Sequence, residues 1–138
     1  MVLGVCGCKV LGMPVELIEK ELVYGVVGCA LEVLNEIGHG FREKTYENAL
    51  CIALHQKQID LLVQQRYPVC FNGIEVDSFV PDLVVAGKLI LEVKTVDALT
   101  DQHIGQLLNY LRVTRLQAGV LLNFRHPKLE WKRIVLTQ

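Results

Sequence analysis

Two short apolar runs, Leu83-Val84-Val85 and Leu89-Ile90-Leu91, sit three residues apart, and both abut charge. Asp82 precedes the first, and Glu92 and Lys94 flank Val93 after the second. Runs this apolar belong in a buried sheet, where an unpaired ion is costly unless a partner or a metal offsets it. Side chains alternate along a strand, so Glu92 and Lys94 share one face and Val93 takes the other. If residues 85 and 89 pair across Ala86-Gly87-Lys88, Asp82 falls opposite Glu92 on that face. A two-residue loop would set Asp82 against Val93, so the constellation requires an odd loop or a bulge.

Two neighbouring carboxylates repel each other, and a hard cation between them, Mg2+ or Mn2+ with oxygen ligands and water, makes the arrangement tolerable. Such an ion would neutralise charge on a phosphoryl oxygen and acidify a water, while Lys94 would orient that water or stabilise developing charge. That chemistry is hydrolysis of a phosphodiester. The same short pattern also suits exposed charges on an edge strand with Asp82 capping a turn, and spacing alone leaves both readings open.

The remaining pattern surrounds these strands with helices. From Pro14 to about Ile37 apolar residues recur at helical spacing, through Val15, Ile18, Leu22, Val26, Ala30, Val33 and Ile37, and Gly38-His39-Gly40 stops the helix. A second helix runs from about Arg42 to Gln56 with Tyr46, Ala49, Leu50, Ala53 and Leu54 on one side. Strands are expected over Leu62–Phe71, where Pro68 marks an edge or bulge, and over Ile74–Val85 and Leu89–Val96, with Asn72-Gly73 as a hairpin turn. A helix from Thr100 to about Thr114, a buried strand Ala118–Phe124 and a last strand Trp131–Leu136 complete the order.

Composition narrows the class. At 138 residues, 51% apolar and 21% charged, the chain suits one packed domain. Because the first helix starts naturally at Met13-Pro14, that domain is expected over residues 13–138, with residues 1–12 as a disordered extension. No window offers the roughly 18 uninterrupted apolar residues of a membrane span, and Met1–Val15 lacks a small-residue cleavage site, so a cytoplasmic protein is expected. The five cysteines, Cys6, Cys8, Cys29, Cys51 and Cys70, lack CxxC spacing; the last three sit in apolar patterns and read as reduced core thiols. Net charge is −1, yet residues 101–138 hold six Lys/Arg against two Asp/Glu. That basic third suits phosphates or an ordinary solvated face.

Five blocks carry a resemblance: Gly40-Phe41-Arg42-Glu43-Lys44-Thr45-Tyr46 running on into Glu47-Asn48-Ala49-Leu50, Pro81-Asp82-Leu83-Val84-Val85, Leu91-Glu92-Val93-Lys94, Gln106-Leu107-Leu108-Asn109-Tyr110-Leu111, and Gly119-Val120-Leu121-Leu122-Asn123-Phe124. In them the chain resembles the GxxExxY proteins of the PD-(D/E)XK nuclease superfamily, from about Glu16 to Val135. The resemblance implies a mixed α/β (α+β) domain with a restriction-endonuclease-like αβββαβ core, a central mixed sheet flanked by helices. It makes Asp82, Glu92 and Glu43 ligands of Mg2+ or Mn2+, Lys94 the catalytic lysine, Glu43 a helix-borne carboxylate at the metal, and Gln106 a polar group of the active centre. Glu47, one turn beyond Glu43, is the alternative carboxylate, and Tyr110 shares the helix face of Gln106. The implied substrate is nucleic acid, DNA in preference to RNA, with a homodimer where both strands are cut. The competing reading is a catalytically silent binding or scaffold protein on the same fold.

Overall fold

A computed structural model describes residues 19–137. The expected start of the first helix at Pro14, the extension over residues 1–12, Cys6 and Cys8 lie outside the described residues. Helix α1, Lys20–Ile37, buries Val23, Val26, Val27, Ala30, Val33 and Leu34, the stripe its spacing dictates. It ends where Gly38 and Gly40 adopt φ of 85° and 89°, a region closed to most side chains. Helix α2, Glu43–Gln56, returns against it and buries Tyr46, Leu50, Ala53 and Leu54.

Seven strands follow among the described residues: β1 Leu61–Val63, β2 Tyr67–Phe71, β3 Ile74–Phe79, β4 Leu83–Val85, β5 Leu89–Lys94 and, after helix α3 (Asp101–Thr114), β6 Ala118–Asn123 and β7 Glu130–Val135. Five form a mixed sheet in the order β1-β4-β5-β6-β7, with β5 and β6 parallel and the other pairs antiparallel. The parallel pair needs a crossover, which α3 supplies. One sheet face, through Leu83, Val85, Leu89, Leu91, Val93, Val120 and Leu122, packs on α1 and α2. Ile90, Leu121 and Ile134 on the other face pack on Leu107 and Leu111 of α3. The expected restriction-endonuclease-like architecture, a central mixed sheet flanked by helices, is what the chain adopts. Gly119 has its own role in this packing: a Cβ there would come within 2.9 Å of Leu107, so α3 lies against bare backbone.

Two expected strands are each broken in two. Leu62–Phe71 divides at residues 64–66, where Gln64 takes a φ of 56°, and Ile74–Val85 divides at Val80-Pro81-Asp82. The outer pieces β2 and β3 leave the main sheet as a separate antiparallel ribbon, turned at Asn72 and Gly73 with φ of 51° and 78°. A bulge between Val69 and Cys70 follows Pro68, as its lost donor suggests. The same ribbon exposes Cys70, so that thiol is not in the core, whereas Cys29 is buried and Cys51 half-buried.

Candidate active site

Val85 pairs with Leu89 across the three-residue turn and Leu83 with Leu91, so continuing the register sets Asp82 against Glu92. Ala86 and Gly87 close that turn with φ of 54° and 65°. Just before β4 begins, the two acids replace strand pairing with crossed hydrogen bonds. The Asp82 N–H donates to Glu92 Oε2 at 3.0 Å, and the Val93 N–H donates to Asp82 Oδ2 at 2.7 Å. Each carboxylate thus commits one oxygen to the backbone and stands beside the other. Glu92 and Lys94 share the parity of Ile90, on the α3 side of β5.

Glu43 reaches the same place from α2, and Tyr46 fixes how. The buried Tyr46 hydroxyl donates to the Gly38 carbonyl at 2.8 Å and accepts the Phe41 N–H at 3.0 Å, while its ring stacks on Phe124 at 4.3 Å. Those contacts lock the α1–α2 turn onto the end of β6, where the Gly40 N–H also donates to the Phe124 carbonyl. Glu43, in the first turn of α2, then accepts the Thr95 N–H at Oε2, 3.2 Å, one residue past Lys94. Glu47, one turn further, is half-buried and paired with Lys44 at 3.7 Å.

The electrostatics show what this gathering costs. Burial first, and the Asp82 charge second, push the Glu92 carboxyl from 4.5 up to about 7, against the Asp82 N–H and Lys94, which hold it down. Asp82 is itself raised, chiefly by burial and then by Glu43, with the Val93 N–H opposing. Glu47 is raised by burial and then by Asp82. Tyr110 is raised by burial and then by the charges of Glu92 and Asp82, against a hydrogen bond with Gln106. Gln106 itself is exposed on α3.

The donor set fits a hard divalent cation: buried carboxylates that repel each other, with no sulfur or imidazole among them. As the side chains lie, no group of three or more His, Cys, Asp or Glu among the described residues could hold an ion. Asp82 and Glu92 stand as a pair, with Glu43 tied to Thr95 and Glu47 to Lys44.

A polar brace behind the site went unread in the sequence. Asn123, on the strand position paired with Lys94, is buried; its Oδ1 accepts the Val96 N–H at 3.0 Å, and its Nδ2 donates to the Val96 carbonyl at 2.8 Å and to Glu130 Oε1 at 2.9 Å. Glu130 accepts the Leu99 N–H with both oxygens, at 3.1 and 3.2 Å. Asn123 and Glu130 therefore pin the β5–α3 connection, which sets where Gln106 and Tyr110 stand relative to Lys94. The signal was an amide within the run Leu121-Leu122-Asn123-Phe124, as odd in a buried strand as Glu92 is.

Fold and site together define a restriction-endonuclease-like domain with paired acids at the end of its sheet. The chain belongs to the PD-(D/E)XK nuclease superfamily, whose family model matches residues 20–134. A solved structure described as "Crystal structure of SSO0001" is similar in fold, with a TM-score of 0.56 at 18% identity, covering 96% of this chain and 63% of that one. The chain thus spans less than two thirds of that protein's length. No curated protein matches it. Among the described residues no helix is long and apolar enough to cross a membrane.

Proposed function

We propose that the chain is a Mg2+- or Mn2+-dependent nuclease of the GxxExxY type that hydrolyses phosphodiester bonds of nucleic acid, DNA in preference to RNA. The observation that carries this is the crossed pairing of the half-buried Asp82 with the buried Glu92, whose strand also carries Lys94. Burial raises both carboxyls and the Asp82 charge raises Glu92 further; carboxyls perturbed by burial and by a charged neighbour gather at functional sites. The GxxExxY assignment is supported by a shared task of the motif residues: the Gly40 N–H and the Tyr46 ring both engage Phe124, and Glu43 on the same turn accepts the Thr95 N–H.

Asp82 and Glu92 would hold the ion together with Glu43, and Glu47 is the neighbouring acid on the same helix face. The bound cation supplies positive charge at the phosphoryl oxygens and acidifies water. Lys94 orients the attacking water and stabilises negative charge as it develops, as an ammonium on the face of Glu92 can. Gln106 and Tyr110 form the wall over the scissile phosphate. Two copies acting together would cut both strands of a duplex.

The test is incubation with single-stranded and duplex DNA and RNA in Mg2+ or Mn2+, with Asp82→Asn as the control. Wild type should cut, and Asp82→Asn should reduce the rate at least about 100-fold, the scale of losing charge stabilisation at a reacting phosphate. Undiminished cutting by the variant would reject the assigned site. A wild type that shows no Mn2+ binding by calorimetry and cuts nothing would favour a silent nuclease-fold binding protein.

A further inference from the structure

The acids that suit a cation also repel the substrate. Glu43, Glu47, Asp82 and Glu92 stand against Lys44 and Lys94, so a polyanion needs further positive charge to approach. Where that charge stands is set by the loop after β6.

Arg125 lies two residues past Asn123, the strand partner of Lys94. Its backbone is fixed on several sides. The His39 Nδ1 donates to the Arg125 carbonyl at 3.1 Å, the Arg125 N–H donates to Asn123 Oδ1 at 3.3 Å, and the preceding Phe124 N–H donates to the Lys94 carbonyl at 2.9 Å. Its head group is held far less firmly. Nη1 donates to the Thr95 carbonyl at 3.4 Å, and Nη2 stands 3.6 Å from Asp97, whose side chain is 91% exposed; an ion pair that open contributes little. Thr95 is the same residue whose N–H binds Glu43, so the guanidinium and a site carboxylate hang from one peptide segment. A rigid base carrying a loosely held, half-exposed fork suits a group awaiting a ligand, and the fork matches two phosphate oxygens.

We propose that Arg125 is the arm that binds a backbone phosphate of the substrate strand next to the scissile bond, with Asp97 as a carboxylate that the phosphate displaces. This rests on the nuclease reading above. Arg125 is a substrate-binding residue in this assignment, contacting non-bridging oxygens and reading no base, so the contact is independent of sequence.

Fluorescence anisotropy of a short labelled DNA single strand, titrated with salt in Ca2+ buffer, tests it with wild type, R125Q, R125K and D97N. R125Q should bind about tenfold more weakly at low salt, and the slope of log K against log salt should fall by about 0.7, one phosphate contact on a single strand. R125K should keep the slope and lose part of the affinity, because a point charge replaces a fork. D97N should bind more tightly than wild type, and the double variant R125Q/D97N should gain little over R125Q, whereas a carboxylate that merely repels the strand would strengthen both backgrounds equally. An unchanged slope in R125Q, or D97N weakened alongside it, overturns the assignment while leaving the nuclease reading intact. A wild type that binds and cuts neither DNA nor RNA overturns the nuclease reading, and this inference with it.

Discussion

Glu92 illustrates how a single residue records a choice of function over stability. It is 7% exposed, and the fold raises its carboxyl from 4.5 to about 7. A raised acid means that the folded chain holds its proton more tightly than the unfolded chain does. Below about pH 4.5 both states are protonated and nothing is lost. Between there and about pH 7 the unfolded state ionises first, so stability falls as pH rises, by a total of roughly 3 kcal/mol. Glu92→Gln removes that ionisation. In the presence of a chelator the variant should therefore be more stable than wild type at pH 8, by up to about 3 kcal/mol, with the advantage shrinking toward pH 5. Denaturant unfolding of both proteins at the two pH values measures the difference, in which other titrating groups largely cancel. Saturating Mg2+ should stabilise wild type and leave the variant unmoved. Equal stabilities at pH 8 would mean that the carboxylate is not strained.

At the scale of elements, the β5–α3 connection is held by one amide. Asn123 meets Val96 from both sides and bridges to Glu130, which secures Leu99. Asn123→Ala leaves the Val96 N–H, the Val96 carbonyl and a Glu130 oxygen without that partner, at a cost of about 1–3 kcal/mol. Because the connection positions α3, the variant should also lose the proposed nuclease turnover by more than its stability explains. Asn123→Asp keeps the acceptor to the Val96 N–H but sets a second carboxylate against Glu130, so it should be no better than alanine; melting and single-turnover cleavage compare the two. Much of this arrangement was legible beforehand where one local rule governed it. The 85–89 pairing and the bulge by Pro68 were each one of two arrangements the pattern allowed, while the spacing of α1 and α2 and the Asn72-Gly73 turn follow from periodicity and turn chemistry. The splitting of Leu62–Phe71 and Ile74–Val85 did not, because alternation continues through Gln65-Arg66-Tyr67 and only tertiary packing decides where a strand changes sheets. The acids Asp82 and Glu92 were legible because charge within apolar runs is rare. Arg125 and Glu130 were not, since loop and edge charges look alike until their partners are known.

For the whole molecule, that split divides stability into two parts. Strands β4, β5 and β6 are buried along their full length between α1 and α2 on one side and α3 on the other, apart from the half-buried Lys94. The β2–β3 ribbon lies outside this sandwich, with Phe71 68%, Ile74 69% and Val76 63% exposed. Its packed anchor is Phe79, stacked on Tyr110 of α3 with ring centroids 3.5 Å apart. A two-stranded ribbon is marginal in water without a surface to pack on, so it should open while the sheet stays closed. Native-state hydrogen exchange should find the Cys70–Glu75 region exchanging through a low-energy local opening, with Leu91 and Leu121 exchanging only on global unfolding. Phe79→Ala should accelerate the ribbon amides about tenfold or more, the effect of losing an aromatic contact of about 1.5 kcal/mol, and leave those of β5 and β6 at their global limit less only the small loss of overall stability. Since Phe79 stacks on Tyr110, the same variant should loosen the proposed Gln106–Tyr110 wall and weaken substrate binding. Uniform exchange across ribbon and sheet would show instead that the ribbon belongs to the cooperative core, and that the exposed apolar residues on it are covered in solution.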